Sequence, residues 1–368
     1  MNNFLRESRK LRNISGNVCI VLGNESCDLD SAVCSVSLAY YYHKNPERFP
    51  IKTKFTNVLP VFNIPRNEYP LKTEVTYFFN QNYIQADSLT FKDEVEESFL
   101  RNNPLVLVDH HFSPYSELAS VIYDHRPFDT SAKLSGNCFK QIEIVGSCSS
   151  LIGNLFLQLK NLEDYKEPLK LLYAAIVLDT VNFSKDADKA RPLDFEVTKT
   201  IETLLGIKNP TEHREKLCNN LIEARADVSS LDSYQILFKD MKLVSSKSGK
   251  IKIAFPGYPI LVQDYVKLDK AEENIKKFAK TQKCSAIVLI GLKVTNGTVE
   301  RDVGIVNIDN AKLFEEILNK IKNYQEPNLE LEEHVDCKFL NGKFFKQKNL
   351  KASRKQILPL VKSVLENW

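Results

Sequence analysis

Short apolar runs rich in β-branched residues alternate with longer amphipathic stretches through the first half of the chain. The runs have the length and composition of buried strands, whereas the amphipathic stretches have the spacing of helices. Strands joined through helices form a largely parallel sheet with helices on both faces, so we predict a doubly wound α/β domain. The predicted strands cover residues 17–23, 60–64, 103–111 and 117–126, and the predicted helices cover 31–43, 91–102, 147–160 and 169–179.

A second, smaller α/β domain is predicted after residues 204–215, where Gly206 and Pro210 interrupt two helical patterns. We therefore divide the chain into domains 1–207 and 208–368 and expect a mixed sheet in the second. Its predicted helices cover residues 224–240, 271–282 and 311–323, its predicted strands cover 251–262, 285–294 and 301–309, and a turn at Asn341–Gly342 precedes a final helix.

The composition is that of an ordinary globular protein, with 43% hydrophobic and 26% charged residues in a chain of 368. A net charge of +3 with dispersed lysines gives no argument for nucleic-acid binding. The eight cysteines form no CxxC pair and mostly lie in apolar runs, which predicts free thiols in a reducing compartment. Because the N-terminus is not signal-like and no apolar run approaches about 20 residues, we expect a cytoplasmic protein without a membrane partner.

Acidic residues follow several of the apolar runs. Asp28, Asp109 and Asp124 come at the ends of predicted strands, and Asp179 ends a predicted buried helix. In an open parallel sheet, ligands bind beyond the carboxyl ends of the strands, so these carboxylates are expected to meet there. Two simpler interpretations stay open. Asp28 or Asp30 caps the following helix, and Asp179 forms an ion pair with a nearby Lys or Arg.

Two Asp-His pairs occur among these acids. Asp109 is followed by His110 and His111, and Asp124 is followed by His125, in a chain with only six histidines. Strands often end at polar turns, but two such pairs at successive strand ends favour a metal site. Carboxylate oxygens are hard ligands that suit Mg²⁺ or Mn²⁺.

Six motifs in this order resemble the DHH phosphoesterase superfamily: GNExxDLD, VDHH, DHR, VGSCSS, LDTVNF and, near the C-terminus, ASRKQILPL. The chain is similar to the branch that holds family II inorganic pyrophosphatases, exopolyphosphatases and prune. Prune-type proteins resemble it most closely, through VFNIPRNEYPLKTE, YDHRPFD, DKARPLDFE and QILFKDMK. The resemblance spans roughly residues 16 to 365. Each motif is weak by itself, but their order is specific.

The resemblance implies an active site between the two domains, with two divalent cations, Mg²⁺ or Mn²⁺, bridged by a hydroxide. Positions that match the family's ligands are Asp28, Asp30, Asp109, His125 and Asp179. Asn24 stands where pyrophosphatases have histidine and exopolyphosphatases have asparagine, so it is a further predicted ligand. We expect the amide oxygen to weaken metal binding and to favour Mg²⁺.

The resemblance also implies a set of phosphate-binding residues. The superfamily's DHH motif is DHR here, so Arg126 is expected to replace a substrate-binding histidine as a permanent cation. His110 and His111 follow the second motif's ligand and are predicted to support it or to contact substrate. The remaining predicted substrate residues are Lys189, Arg354, Lys355 and Arg66, which resembles an arginine of prune and exopolyphosphatases.

The implied activity is metal-dependent hydrolysis of terminal phosphoanhydride bonds in short inorganic polyphosphate. The residues expected to take part in catalysis are Asp28, Asp30, Asp109, His125, Arg126 and Asp179. A cyclic-nucleotide phosphodiesterase would use the same metals and is the second enzymatic interpretation. A third is a signalling scaffold that binds nucleoside diphosphate kinase. In prune-type proteins that function resides largely in a C-terminal extension, and we expect this chain, which ends at Trp368, to lack it.

Overall fold

The computed structural model describes residues 1–14, 16–295 and 297–368. The chain forms two compact units, Met1–Arg225 and Ala226–Trp368. This division lies after the predicted boundary at residue 207, because the intervening helix packs Cys218 and Leu221 into the core of the first unit. None of the helices in the described ranges combines the length and apolar composition that crossing a membrane requires.

The first unit is built on a five-stranded sheet with the order β2-β1-β3-β4-β5, and every neighbouring pair of strands is parallel. Its strands are β1 (Val18–Leu22), β2 (Asn57–Val61), β3 (Leu105–Val108), β4 (Ala119–Asp124) and β5 (Phe139–Ile142). Its helices are α1 (Asn2–Arg9), α2 (Leu29–Lys44), α3 (Thr73–Gln81), α4 (Glu97–Asn102), α5 (Cys148–Leu157), α6 (Lys166–Asp179), α7 (Pro192–Leu205) and α8 (Pro210–Ala226).

Strands β1 and β3 are buried on both faces, which explains why they are continuously apolar rather than alternating, whereas the edge strand β5 is partly exposed and mixed in polarity. Cys19, Val21 and Val106 point to one face, where they join a core formed with α2, α5, α6 and α7. Ile20 and Leu107 point to the other face and pack against a smaller cluster that includes residues of α4. The predicted doubly wound arrangement is confirmed.

The second unit contains a six-stranded sheet with the order β10-β11-β9-β8-β7-β6. Only β7 and β8 are parallel, so the predicted mixed sheet is confirmed. Its strands are β6 (Asp240–Ser245), β7 (Lys252–Tyr258), β8 (Ala286–Thr295), β9 (Thr298–Asn307), β10 (Leu331–Glu333) and β11 (Gly342–Gln347). Its helices are α9 (Ser233–Ile236), α10 (Val262–Tyr265), α11 (Ala271–Gln282), α12 (Ala311–Lys322) and α13 (Arg354–Leu365).

Two predicted helices are shorter than their sequence patterns indicated. The helix predicted over 224–240 is interrupted after α8, because Asp232 accepts a hydrogen bond from the backbone N–H of Gln235 and starts α9 as a new helix. In the segment predicted as a helix over 91–102, only α4 is α-helical. Glu94, near the start of that segment, accepts hydrogen bonds from arginine side chains instead of continuing a helix.

All eight cysteines are free thiols, as the sequence predicts. Seven of them are buried, and Cys337 is partly exposed. Burial raises the pKa of the Cys148 thiol to about 12 and that of the Cys284 thiol to about 11. These thiols are therefore protonated at neutral pH and unreactive.

Candidate metal centre

A cavity of about 410 Å³ opens in the first unit beside the carboxyl ends of its parallel strands. Asp109 directly follows β3, Asp28 precedes α2 and Asp179 is the last residue of α6. The fold brings these three acids to one cavity, whereas Asp124, which was expected to join them, does not line it and pairs with His111 and Arg126. The residues that line the cavity are Asp28, Asp30, Asp109, His125, Arg126, Pro127, Ile144, Val145, Gly146, Asp179, Asp188, Lys189 and Arg191.

Asp30 is held by the N-terminal end of α5. One carboxylate oxygen accepts from the backbone N–H of Cys148 at 2.7 Å, and the other accepts from the N–H and hydroxyl of Ser149 at 2.8 and 2.6 Å. Burial by itself would raise the pKa of Asp30, but the charge of His125 and these hydrogen bonds outweigh it and lower the pKa. Asp30 is therefore fixed in position as an anion.

His125 faces two of the acids. Its Nδ1 donates to the carbonyl of Val145 at 3.0 Å, so in the neutral imidazole Nε2 keeps its lone pair. Nε2 lies 3.3 Å from Oδ1 of Asp109 and 3.9 Å from Oδ2 of Asp30. One ligand atom from each of these three residues lies within 4.8 Å of the others. They form a compact group that fits one cation.

The carboxylates around this group carry more negative charge than nearby cations balance. Burial and the charge of Asp30 raise the pKa of Asp109 to about 7. Burial and the charges of Asp30, Asp28 and Asp109 raise the pKa of Asp179 well above its ordinary value, and burial together with the charge of Asp30 raises that of Asp28. Carboxylates that repel one another in this way are suited to binding a divalent cation, since carboxylate oxygens are hard ligands.

Arg126 supplies a positive charge at the edge of the cavity. Its Nη1 lies 2.9 Å from Oδ1 of Asp109 and 3.1 Å from Oδ1 of Asp124. Its side chain is 45% exposed, so the guanidinium is reachable from solvent while it contacts two buried acids. This geometry suits a cation that meets an incoming anion.

Comparisons with known proteins agree with the site. The sequence profile of the DHHA2 domain matches residues 219–364. The chain is 29% identical to exopolyphosphatase PRUNE1 of Mus musculus over 377 residues, which cover 100% of this chain and 80% of the relative. PRUNE1 of Homo sapiens is 28% identical over 378 residues with the same coverage. These matches support a prune-type member of the DHH phosphoesterase superfamily. A "Probable manganese-dependent inorganic pyrophosphatase" of Clostridium acetobutylicum is 25% identical over 315 residues, or 82% of this chain and 89% of the relative.

Asn24 contacts a predicted ligand through its side-chain nitrogen. Its Nδ2 donates to Oδ2 of Asp109 at 2.6 Å, while its Oδ1 accepts from the hydroxyl of Ser26 and the backbone N–H of Cys27. Because the backbone N–H of Cys27 can only donate, this orientation of the amide is fixed. The contacts favour Asn24 as a residue that holds Asp109, and its role as a metal ligand stays a prediction.

The two histidines after Asp109 point into the protein. His110 Nδ1 donates to the carbonyl of Val108 at 3.0 Å, and its Nε2 is buried with no hydrogen-bond partner in the part of the chain that the structure describes. His111 contacts Asp124 through Nδ1 and accepts the backbone N–H of Asp129 through Nε2 at 2.8 Å. Neither lines the cavity, so their contacts favour support over substrate binding.

The predicted basic residues fall into three environments. Lys189 lines the cavity. Arg66 does not, and its guanidinium binds Glu94 at 2.8 Å and lies over the ring of Phe91. In the second unit, Arg354 lies 2.7 Å from Asp240, and Lys355 occupies the first turn of α13. Substrate binding by all four residues stays a prediction.

The sequence interpretation missed the residues that support this centre. Ser149 and the backbone of Cys148 hold Asp30, although VGSCSS was noticed only as a motif. Arg191 lines the cavity two residues beyond Lys189, within the DKARP stretch. A serine-rich turn before a helix was the available signal, because helix N-termini hold anions.

Proposed function

We propose that this protein is a metal-dependent phosphoanhydride hydrolase that removes terminal phosphate from short inorganic polyphosphate. The observation that carries the proposal is one cavity that combines a carboxylate and imidazole group with basic residues at its edge. The names of the PRUNE1 relatives and of the clostridial relative support the reaction class. The name of the clostridial relative, which specifies manganese dependence, also supports the use of a divalent metal.

The residues proposed to hold the cations are Asp28, Asp30, Asp109, His125 and Asp179, with Asn24 as a further candidate. Two cations, Mg²⁺ or Mn²⁺, would lower the pKa of water to yield the attacking hydroxide and would neutralise phosphate oxygens. Asp30 is held as an anion by α5, and His125 directs Nε2 into the group because Nδ1 is engaged by Val145. Little of the site has to reorganise when a cation binds.

The chain's own cations are proposed to bind the phosphate chain. Arg126 and Lys189 line the cavity and would neutralise the charge that develops on the transferred phosphate. Arg354 and Lys355, in the second unit, are proposed to bind the remaining phosphates on the strength of the family resemblance. A guanidinium matches two phosphate oxygens at once, which a lysine cannot do.

The deciding experiment is phosphate release from tripolyphosphate with Mn²⁺ or Mg²⁺, in the wild type and in Asp179→Ala. We expect the substitution to abolish release, and Asp28→Ala should do the same. Asp164→Ala is the matched control, because this carboxylate is exposed and lies outside the cavity. Undiminished release by Asp179→Ala would refute the proposed site. Products from phosphate chains of defined length would then fix the preferred length.

Cyclic-nucleotide phosphodiesterase activity is a second candidate, favoured by apolar surface at the cavity. Ile144 lines it and is 60% exposed, and Pro127 lies beside it. Phe128, the next residue, is 49% exposed and stacks on His111 with ring centroids 5.3 Å apart. Turnover of tripolyphosphate and cyclic AMP on one preparation separates the two activities, and the uncharged substitution Ile144→Ser should reduce the second more than the first.

Binding of nucleoside diphosphate kinase stays a prediction from the family resemblance. It is tested by a pull-down with the wild type and Asp179→Ala. A scaffold function does not require the metal centre, so equal capture by both proteins is the expected outcome if the scaffold interpretation holds.

A further inference from the structure

One buried carboxylate near the cavity belongs to neither the candidate ligands nor the residues that line it. Asp194 lies in the first turn of α7 and is 0% exposed. No ion pair joins it to a cation anywhere in the described ranges. Burying a carboxylate without a cation is unfavourable unless hydrogen bonds replace its water.

Three donors from separate segments meet Asp194. Oδ2 accepts the backbone N–H of Gly146 and the backbone N–H of Arg191, each at 2.7 Å. Oδ1 accepts the hydroxyl of Ser150 in α5. One side chain thus joins the turn before α5, the helix α5 itself and the start of α7.

A simpler interpretation is an ordinary capping box, in which a carboxylate in the first turn bonds back to the residue before the helix. It accounts for the hydrogen bond from Arg191. It does not account for the bonds from Gly146 and Ser150, which are 48 and 44 residues away in the chain. It also leaves the complete burial of Asp194 unexplained.

The segments that Asp194 joins include the backbone that orients a candidate metal ligand and two basic residues that line the cavity. Val145, next to Gly146, accepts the hydrogen bond that orients His125. Lys189 and Arg191, which immediately precede α7, line the cavity. One carboxylate therefore connects the backbone that orients a candidate metal ligand to the segment that bears two cations.

The packing at this junction leaves no room for a side chain at Gly146. A Cβ atom on Gly146 would lie 2.9 Å from Oδ2 of Asp194 and 2.6 Å from Cγ2 of Thr180. Thr180 directly follows the candidate ligand Asp179. Any side chain at position 146 would therefore separate the turn from Asp194 or displace Thr180.

We propose that Asp194 is a positioning residue that fixes His125 for metal binding and the Lys189–Arg191 segment for substrate. The effect of Asp194 on Mn²⁺ affinity does not depend on what the substrate is. Its effect on binding of the phosphate chain rests on the proposed function. Removing a group that is hydrogen-bonded directly to a metal ligand typically costs roughly 10- to 100-fold in metal affinity, and Asp194 acts one step further out, through the backbone beside Val145.

The test is Asp194→Asn, which keeps the size of the side chain but removes the charge that strengthens its three hydrogen bonds and replaces one acceptor with a group that can only donate. We expect the dissociation constant for Mn²⁺, measured by calorimetry on metal-free protein, to rise by up to about 10-fold. With tripolyphosphate, KM should rise by a larger factor than kcat falls. Wild-type Mn²⁺ affinity in a folded Asp194→Asn protein would overturn the proposal and leave Asp194 with a structural role only.

Glu202→Gln is the matched control. Glu202 is a buried carboxylate in the same helix, but it binds Arg214 at 2.6 Å and Tyr173 at 3.1 Å and does not line the cavity. We expect this variant to lose stability while its Mn²⁺ affinity is unchanged. An equal loss of affinity in both variants would mean that destabilisation of α7, rather than positioning, is responsible.

Gly146→Ala perturbs the same junction from the other side and keeps the proposal testable if Asp194→Asn does not fold. Like Asp194→Asn, it should weaken Mn²⁺ binding, and an unchanged affinity would count against the proposal. If the wild type releases no phosphate from tripolyphosphate, the proposed function fails. The Mn²⁺ measurements would still decide the role of Asp194.

Discussion

His111 and Asp124 form a buried pair in which the imidazole donates from Nδ1 to the carboxylate. The opposite nitrogen of His111 accepts the backbone N–H of Asp129, so the ring is bound on both sides. The carboxylate also accepts the backbone N–H of His125 and a guanidinium hydrogen of Arg126. The pair thus anchors the segment that carries the DHR motif.

His111→Ala should destabilise the first unit by roughly 1 to 3 kcal/mol, because Asp124 stays buried and loses a partner. Urea unfolding at neutral pH measures the effect. His213→Ala is the control, since His213 is exposed and, in the part of the chain that the structure describes, its one ring contact is with Tyr173. Equal losses in the two variants would contradict the anchoring role of His111.

Asp179→Asn should stabilise the protein in the absence of metal and abolish stabilisation by metal. The pKa of Asp179 is raised in the folded state, so its contribution to stability is present at low pH and is lost as the pH rises through the folded pKa. Removing about 1 kcal/mol of the repulsion between Asp179 and the neighbouring carboxylates of Asp28, Asp30 and Asp109 would raise Tm by about 2–4 °C. Thermal unfolding with EDTA and with Mn²⁺ measures both effects, and a lower Tm in EDTA would contradict the argument.

Asn24→Asp distinguishes the two interpretations of Asn24. The structure indicates that the amide nitrogen holds Asp109, so a carboxylate at this position should repel Asp109 and weaken Mn²⁺ binding. If residue 24 instead coordinates the cation, the added negative charge should strengthen binding. Calorimetry with Mn²⁺ shows whether the affinity rises or falls. Asn24→His, which introduces the residue that pyrophosphatases have at this position, extends the test to metal preference.

Arg66→Ala is expected to reduce stability and to leave the KM for tripolyphosphate unchanged, because the guanidinium of Arg66 is engaged by Glu94 and by the carbonyl of Leu89. Urea unfolding and steady-state kinetics measure the two quantities. A raised KM in a stable variant would instead support the substrate role that the family resemblance implies.

Glu94 should make the first unit sensitive to acid. Its burial opposes ionisation, but hydrogen bonds from Arg9 and Arg66 outweigh this and lower its pKa from 4.5 to about 2. The corresponding stability is present above the unfolded value of 4.5 and is lost as the pH falls through about 2. Unfolding midpoints from neutral pH to about pH 3 should fall less steeply in Glu94→Gln than in the wild type.

The sequence was sufficient to predict which acids come together, because parallel strands deliver the residues that follow them to one edge of the sheet. Asp28 and Asp109 were predicted to lie there in this way, whereas Asp30 and His125 became candidates through the family resemblance. The supports of these residues depend on tertiary packing and were not predictable from spacing. Ser149 reaches Asp30 across 119 positions of sequence, and the orientation of Asn24 depends on a local turn whose N–H occupies its oxygen.

The distribution of cysteines makes the molecule convenient for spectroscopy. Thiols react as thiolates, and the buried ones stay protonated and shielded from solvent. Cys337, between β10 and β11, is the partly exposed one. A maleimide dye should therefore attach to Cys337 without any substitution of the other cysteines, giving a fluorescent reporter confined to the second unit of the native chain.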